Sequence, residues 1–433
     1  MRFTTSSSIS LLCLSGALAA PIANAPGSTV IQRRHQKAQQ GVSNGKAVYV
    51  ITNEDQNAVA AIAIKADGTL GDACVAQTGG SGSVAVDAKG QPAVPDALVG
   101  QSSLTVAGQN VFAVNAGSNT VSMFAIDPKD PTALTLVGQP AAVPGTFPNT
   151  VAASAKNSLV CVGTTGSKAG ITCANFDQGG IGQMDALRAF DIGQTDPPVG
   201  PTNTVSHTFF SLDENTLFTT VKGDPAVNKT GFLSAFPVTS ANVKPRGNRK
   251  GSQNACAQAA SASLSTQDVR SSPAGTAVLF GSAPIPNTQP PQIFATDASF
   301  GAGILTLDAN AQANLTAKGL VADQKATCWS TISPVTNTAF VTDVGINRIL
   351  EMSLKDASII NTIDLSKEPA SQNDPGLIDL KAAGGFVYAL SPGNGTSAAA
   401  ISVVDVKSKK LVQHAVLGGI GVGSRAQGMA VLM

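Results

Sequence analysis

His207, Lys222 and Trp329 are the residues of this 433-residue chain whose types and placement could do chemistry. The chain has three histidines, and His207 lies in VSHTFFS, four residues before Ser211. A neutral imidazole near its ordinary pKa of about 6.5 can give or take a proton in a reaction, or it can cap and pack at a strand end. Trp329, the single tryptophan, stands four residues before Ser333, and Thr150 stands four before Ser154. The shared offset predicts that Thr150, His207 and Trp329 occupy equivalent positions at one mouth of a channel. Trp329 is suited to wall a planar ligand or to fill core space. Lys222 supplies a cation for a carboxylate. Asn53, Asn115, Asp297 and Asp343 recur at a common place in similar strand-like runs, and both aspartates precede a Gly-containing turn. Their carboxylates and amides can orient a ligand or close the Asx hydrogen bonds that shape a hairpin.

Other reactive patterns do not occur. The chain has no His-Glu-x-x-His, no cysteine pair at zinc spacing, no Gly-x-Ser-x-Gly elbow and no phosphate-binding glycine loop. Asp67-x-Thr69 and Asp127-x-Lys129 are too sparse for a calcium loop. Neither a metal nor a cofactor is expected.

The elements that must position these residues are strands. VFAVNAGSNTVSMFAID, residues 111–127, is a strand-turn-strand unit. Similar units begin near Val48, Leu159, Leu217, Phe294, Phe340 and Val387. Seven units spaced by about 45 to about 75 residues suit four-stranded blades with loop insertions, so an all-β, seven-bladed β-propeller over residues 46–433 is predicted. The first unit lacks a preceding inner strand, whereas Arg425 to Leu432 read as an inner strand with no hairpin after it. Closure by pairing the C-terminal and N-terminal strands follows. The face carrying the inner-strand starts and the tips of the outer hairpins is the expected site face.

Composition bounds the partners. Lys plus Arg number 28 against 27 acids, which gives no charge excess for nucleic acid or an anionic surface. Residues 1–19 read as a secretory signal peptide, with an apolar run from Ile9 to Leu18 and cleavage after Ala19. No segment is long enough to span a bilayer. Residues 20–45 read as a flexible leader in which Arg33-Arg34 is either a dibasic processing site or a solvated pair. Cys161 and Cys173 flank Ser167 symmetrically, so a hairpin centred there brings them face to face for a disulfide. Cys74, Cys256 and Cys328 then compete for one further bridge. Sequons at Asn228, Asn314 and Asn394 predict N-glycans on surface loops.

The phrases VSHTFFSLDENTLFTTVKGD (205–224), FATDASFGAG (294–303), ATCWSTISPVTNTAFVTDVGINRI (326–349) and AQGMAV (426–431) resemble the lactonase-type seven-bladed propellers. More closely, they resemble the secreted fungal 3-carboxymuconate cyclase-like proteins. The resemblance implies that a carboxylated muconate and its lactone are interconverted, or a lactone hydrolysed, with His207 matching the family's recurrent histidine. Lys222, Trp329, Asp297, Asp343 and Asn115 are then the substrate-binding candidates. A small carboxylated substrate or lactone is the expected partner of a monomeric, extracellular or wall-associated enzyme. The alternative is a non-catalytic secreted glycoprotein that binds an extracellular protein or matrix partner through the propeller face.

Overall fold

Burial decides which sequence pattern each strand carries. The computed structural model describes residues 45–239 and 261–433. The expected cleavage site, Arg33-Arg34, His35 and Cys256 lie outside the described residues. Second strands of blades, such as Ala47–Ile51 and Leu159–Thr164, are buried along their whole length, so their sequences are runs rich in small and β-branched residues. Outer strands alternate instead: Ala313–Leu320 sends Asn314, Thr316 and Lys318 to solvent. One face of an outer strand meets the blade and the other meets water.

The described residues form seven antiparallel sheets of four or five strands, the blades of an all-β propeller. The inner strands of blades 2 to 7 are Leu104–Ala107, Pro148–Ser154, Val205–Phe210, Leu279–Ile285, Thr327–Ser333 and Ile378–Ala383. Blade 1 takes its inner strand from the far end of the chain, Gln427–Leu432, which pairs with Ala47–Ile51 and sets Ala47 opposite Leu432. That pairing closes the ring and leaves no open inner edge.

Tyrosines stitch neighbouring blades. Tyr49 donates its hydroxyl to Pro131 O at 2.7 Å, and Tyr388, at the same place in the second strand of blade 7, donates to Gly68 O at 2.8 Å. Each ring is fully buried while its hydroxyl finds an acceptor in the next blade.

Cys161 and Cys173 sit directly opposite one another on the second and third strands of blade 3 and are disulfide-bonded. Cys74 and Cys328 are free thiols in blades 1 and 6, so the second bridge does not form between those two. Asn228 and Asn394 stand exposed on loops, whereas Asn314 is exposed on an outer strand rather than a loop. No helix among the described residues is long and apolar enough to cross a membrane.

Candidate functional site

The chain seals one mouth of its own channel. The connection from blade 1 to blade 2 dips inward at residues 96–103 and hydrogen-bonds to the inner strands of other blades. Leu98 N donates to Gln427 Oε1 of blade 1, and Asn149 Nδ2 of blade 3 donates to Leu98 O. Gln101 N donates to Ser206 O of blade 4 at 2.7 Å. In blade 6, Trp329 Nε1 donates to Gly100 O at 3.2 Å, and the Gln101 side chain exchanges two hydrogen bonds with the Ser330 backbone. Gln427, Asn149, Ser206 and Trp329 stand within the first three residues of their inner strands, so the expected site face is the sealed one. At roughly 1 kcal/mol net for each bond, with Leu98 and Val99 buried as well, the plug is a permanent part of the fold.

The plug bends sharply to reach these partners. Val99 (φ 49°) and Ser102 (φ 62°) are left-handed, as is Asp379 (φ 48°) in the inner strand of blade 7 that faces Ser102. A β-branched residue in that region costs on the order of 1–3 kcal/mol and persists only where its surroundings over-determine it.

Lys222 and Trp329 both face the plug. Lys222 is buried, donates to Val99 O at 2.7 Å and lies 4.5 Å from the centre of the Phe280 ring. Burial pushes its ammonium down to about 8, against the attraction of Asp96. Burial likewise raises the carboxyl of Asp96, opposed by Lys222. Trp329 is fully buried with its ring edge-on to Phe280 at 5.0 Å. The Cys328 thiol beside them is also raised by burial.

Of the recurrent Asn and Asp positions, Asp297, Asp343 and Asn53 bind backbone, and Asn115 binds side chains. Asp297 accepts from the N–H groups of Ala277, Val278 and Ser299, and Asp343 from those of Lys325, Ala326 and Gly345. Each carboxylate ties the loop entering its blade to the turn just after it, which is the hairpin-shaping role of an Asx hydrogen bond. Asn53 holds both backbone groups of Ser83. Asn115 donates to Thr120 and Ser122 and accepts from Asn57. All four residues are buried among partners.

His207 reaches past the plug toward the opposite mouth. Its Nδ1 accepts the Ser282 backbone N–H at 3.1 Å, so the ring proton must sit on Nε2, 3.0 Å from Ser102 Oγ. Ser102 Oγ therefore accepts from the imidazole, and its own hydroxyl proton is left to be given elsewhere. Burial, reinforced by Lys381, holds the imidazole well below its ordinary pKa and keeps it neutral. This geometry does not let His207 draw a proton from Ser102.

Ser102, His207, Ser282, Thr331 and Lys381 line a pocket of about 230 Å3. It opens where the inner strands end, since Ala153, Phe210 and Pro284 also border it. A second hollow of about 200 Å3 shares Ser102, Thr105 and Lys381 and extends toward Met433. The Lys381 side chain is 24 % accessible, and its Nζ lies 3.9 Å from Asp379 Oδ1 with no closer acceptor among the described residues. Asp379 is wholly buried behind it and accepts from Met429 N at 2.8 Å and Ser102 N at 3.4 Å. Burial raises its carboxyl, opposed by Lys381. A larger cleft of about 480 Å3 lies between the hairpin turns of blades 4 and 5, but its carboxylates, Asp213 and Asp308, cap their own turns.

The residues that sequence reading missed are thus Ser102, Asp379 and Lys381. Two charges in the short inner strand Ile378–Ala383, otherwise apolar, were the available signal. For Ser102 there was none, because it belongs to a loop. No cluster of three or more His, Cys, Asp or Glu able to hold a metal is present among the described residues.

No protein-family model matches the chain, and no curated protein matches it. Solved structures share its fold. The periplasmic gluconolactonase of Pseudomonas aeruginosa superposes with a TM-score of 0.59 at 12% identity, over 89% of this chain and 99% of that one. A Lactobacillus plantarum protein gives 0.55 at 14% identity, over 90% and 100%. A Bacteroides uniformis protein provisionally named a 6-phosphogluconolactonase gives 0.51 at 12% identity, over 88% and 99%. The Pseudomonas and Bacteroides neighbours bear lactonase names, and at these identities the likeness is one of fold.

Proposed function

We propose that this protein is a secreted, lactonase-like propeller whose working pocket is the unsealed mouth, where it takes a small carboxylated lactone or the corresponding open acid. The observation that carries this reading is Lys381, an ammonium at the pocket wall with no hydrogen bond to the described residues and Ser102 beside it as a hydroxyl donor. Cation and hydroxyl together suit a carboxylate, or the oxyanion that develops when a lactone opens. Interconversion of 3-carboxy-cis,cis-muconate and its lactone is one reaction of this class, and fold likeness to lactonases supports the class without choosing its member.

A second reading, a secreted glycoprotein that binds its ligand without turnover, is favoured by the His207 geometry. Lactone opening or closure needs a proton acceptor or donor, and the Ser282 N–H occupies the one lone pair that imidazole has to offer.

The two readings separate in one assay. The protein and its Lys381→Met variant are incubated with δ-gluconolactone, 3-carboxy-cis,cis-muconate and its lactone, following acid release and ring absorbance, and binding of each open acid is measured by calorimetry. Turnover lost in the variant supports the enzyme, and Lys381-dependent binding without turnover supports the binder. Neither turnover nor binding that depends on Lys381 would remove the pocket from both.

A further inference from the structure

The charge inventory of the pocket narrows its ligand. Lys381 is the single cationic side chain lining the two adjoining hollows among the described residues. Its charge is already shared with Asp379, 3.9 Å behind it. Around them stand hydroxyls, alanines and methionines, so a second or third anionic group on a ligand would be desolvated without a counter-charge. A pocket of about 230 Å3 is also small for a ligand site.

Ser102 is the second half of the recognition. Its backbone is held in the left-handed region, with its N–H directed at Asp379 Oδ2 and its Oγ accepting from His207 Nε2. The hydroxyl then has one proton to give and one open direction, the pocket. His207 fixes that direction because Ser282 N fixes the imidazole. The groups facing His207 are Ser102 on the plug, Ser282 in blade 5, the Phe209 ring at 4.9 Å and the charge of Lys381 in blade 7, with Asp379 behind.

We infer that the pocket selects a ligand bearing a single carboxylate, a small open-chain hydroxy acid, with the carboxylate bridging the Ser102 hydroxyl and the Lys381 ammonium. In this arrangement His207 is a positioning residue: a neutral donor that aims Ser102. The inference rests on the unsealed mouth being the ligand site. It separates this pocket from one suited to phosphorylated lactones or to a tricarboxylate.

Calorimetric titration of the full chain with D-gluconate, 6-phosphogluconate and 3-carboxy-cis,cis-muconate tests it. Gluconate is expected to bind most tightly, by roughly tenfold or more over the other two, because each added charge meets no cation. Lys381→Met and Ser102→Ala are each expected to weaken gluconate by roughly ten- to a hundredfold, the effect of losing a charge-assisted hydrogen bond. His207→Gln, which keeps a side-chain N–H donor, should stay within a few-fold of wild type, while His207→Ala should lose roughly tenfold. In 15N-histidine spectra, Nε2 should carry the proton from about pH 5.5 to about pH 8, a signature that lost packing alone would not give. Tighter, Lys381-dependent binding of 6-phosphogluconate or carboxymuconate would keep the pocket as a ligand site but overturn the single-charge inference. A proton on Nδ1, or equal losses in the Gln and Ala variants, would overturn the positioning role. Absent or Lys381-independent binding of all three acids would overturn the pocket reading itself.

Discussion

Lys222 Nζ donates to Val99 O at 2.7 Å, across 123 residues of sequence, and so fastens the plug to the wall of the channel. The same ammonium compensates Asp96, whose carboxylate also accepts from Gln427 Nε2 at 2.7 Å. A strained β-branched residue is thereby held by a buried cation.

Removing that cation should loosen the plug. Lys222→Met leaves Asp96 buried without its counter-charge and is expected to cost about 3–5 kcal/mol, with faster amide exchange at residues 96–103. Adding Asp96→Asn, which keeps a group for Gln427, should recover a substantial part of the loss. Unchanged exchange in the single variant would show that the plug is held by its other bonds alone.

His207 makes stability depend on pH. Its folded pKa lies well below the unfolded value of 6.5, so the unfolded chain binds more protons as pH falls below that value. This group's contribution is therefore intact above about pH 6.5 and declines with acid by up to about 1.4 kcal/mol per pH unit. Denaturant midpoints of wild type and His207→Gln, compared between about pH 7 and about pH 5, should converge as acid removes the wild-type term. Parallel pH dependence in the two proteins would mean that His207 protonates in the fold.

The Cys161–Cys173 bridge closes a short loop between paired strands, with a separation of 12 residues. Replacing both cysteines with alanine should lower stability by about 2–4 kcal/mol in guanidinium unfolding. Reductant should bring the wild type toward the variant. A variant that unfolds at the wild-type midpoint under oxidising conditions would show that the bridge constrains little.

Ring closure predicts an all-or-none effect of truncation. Deleting Gln427–Met433 removes the inner strand of blade 1 and the Gln427 contacts to Leu98, Asp96 and Gly100. The exposed edge of Ala47–Ile51 should drive association, and near-ultraviolet dichroism and cooperative melting should be lost. A monomeric product with a native-like melt would contradict the closure argument.

Much of this protein was written locally. The seven strand-turn-strand units, the missing inner strand at one end and the spare one at the other all follow from alternation and turn residues. Cys161 and Cys173 could be paired because hairpin register places them opposite one another. Thr150, His207 and Trp329 do occupy the same third position of their inner strands, Pro148–Ser154, Val205–Phe210 and Thr327–Ser333. Hairpin periodicity is a short-range property, and a single sequence displays it.

Which mouth is open was decided only in three dimensions. Ser102 meets His207 across 105 residues and Asp379 across 277, and no local pattern announces that a blade-to-blade loop will turn into the channel. The types of His207, Lys222 and Trp329 pointed to chemistry. Their partners, Ser282 N–H, Val99 O and Gly100 O, are backbone groups, which every residue carries and which the sequence therefore cannot mark. The sequence by itself determined the wheel and its closure, because both rest on neighbouring strands. The tertiary structure decided the sealed face, the protonation of His207 and the emergence of Lys381 with Ser102 at the other end, because each depends on side chains that only the folded ring brings together.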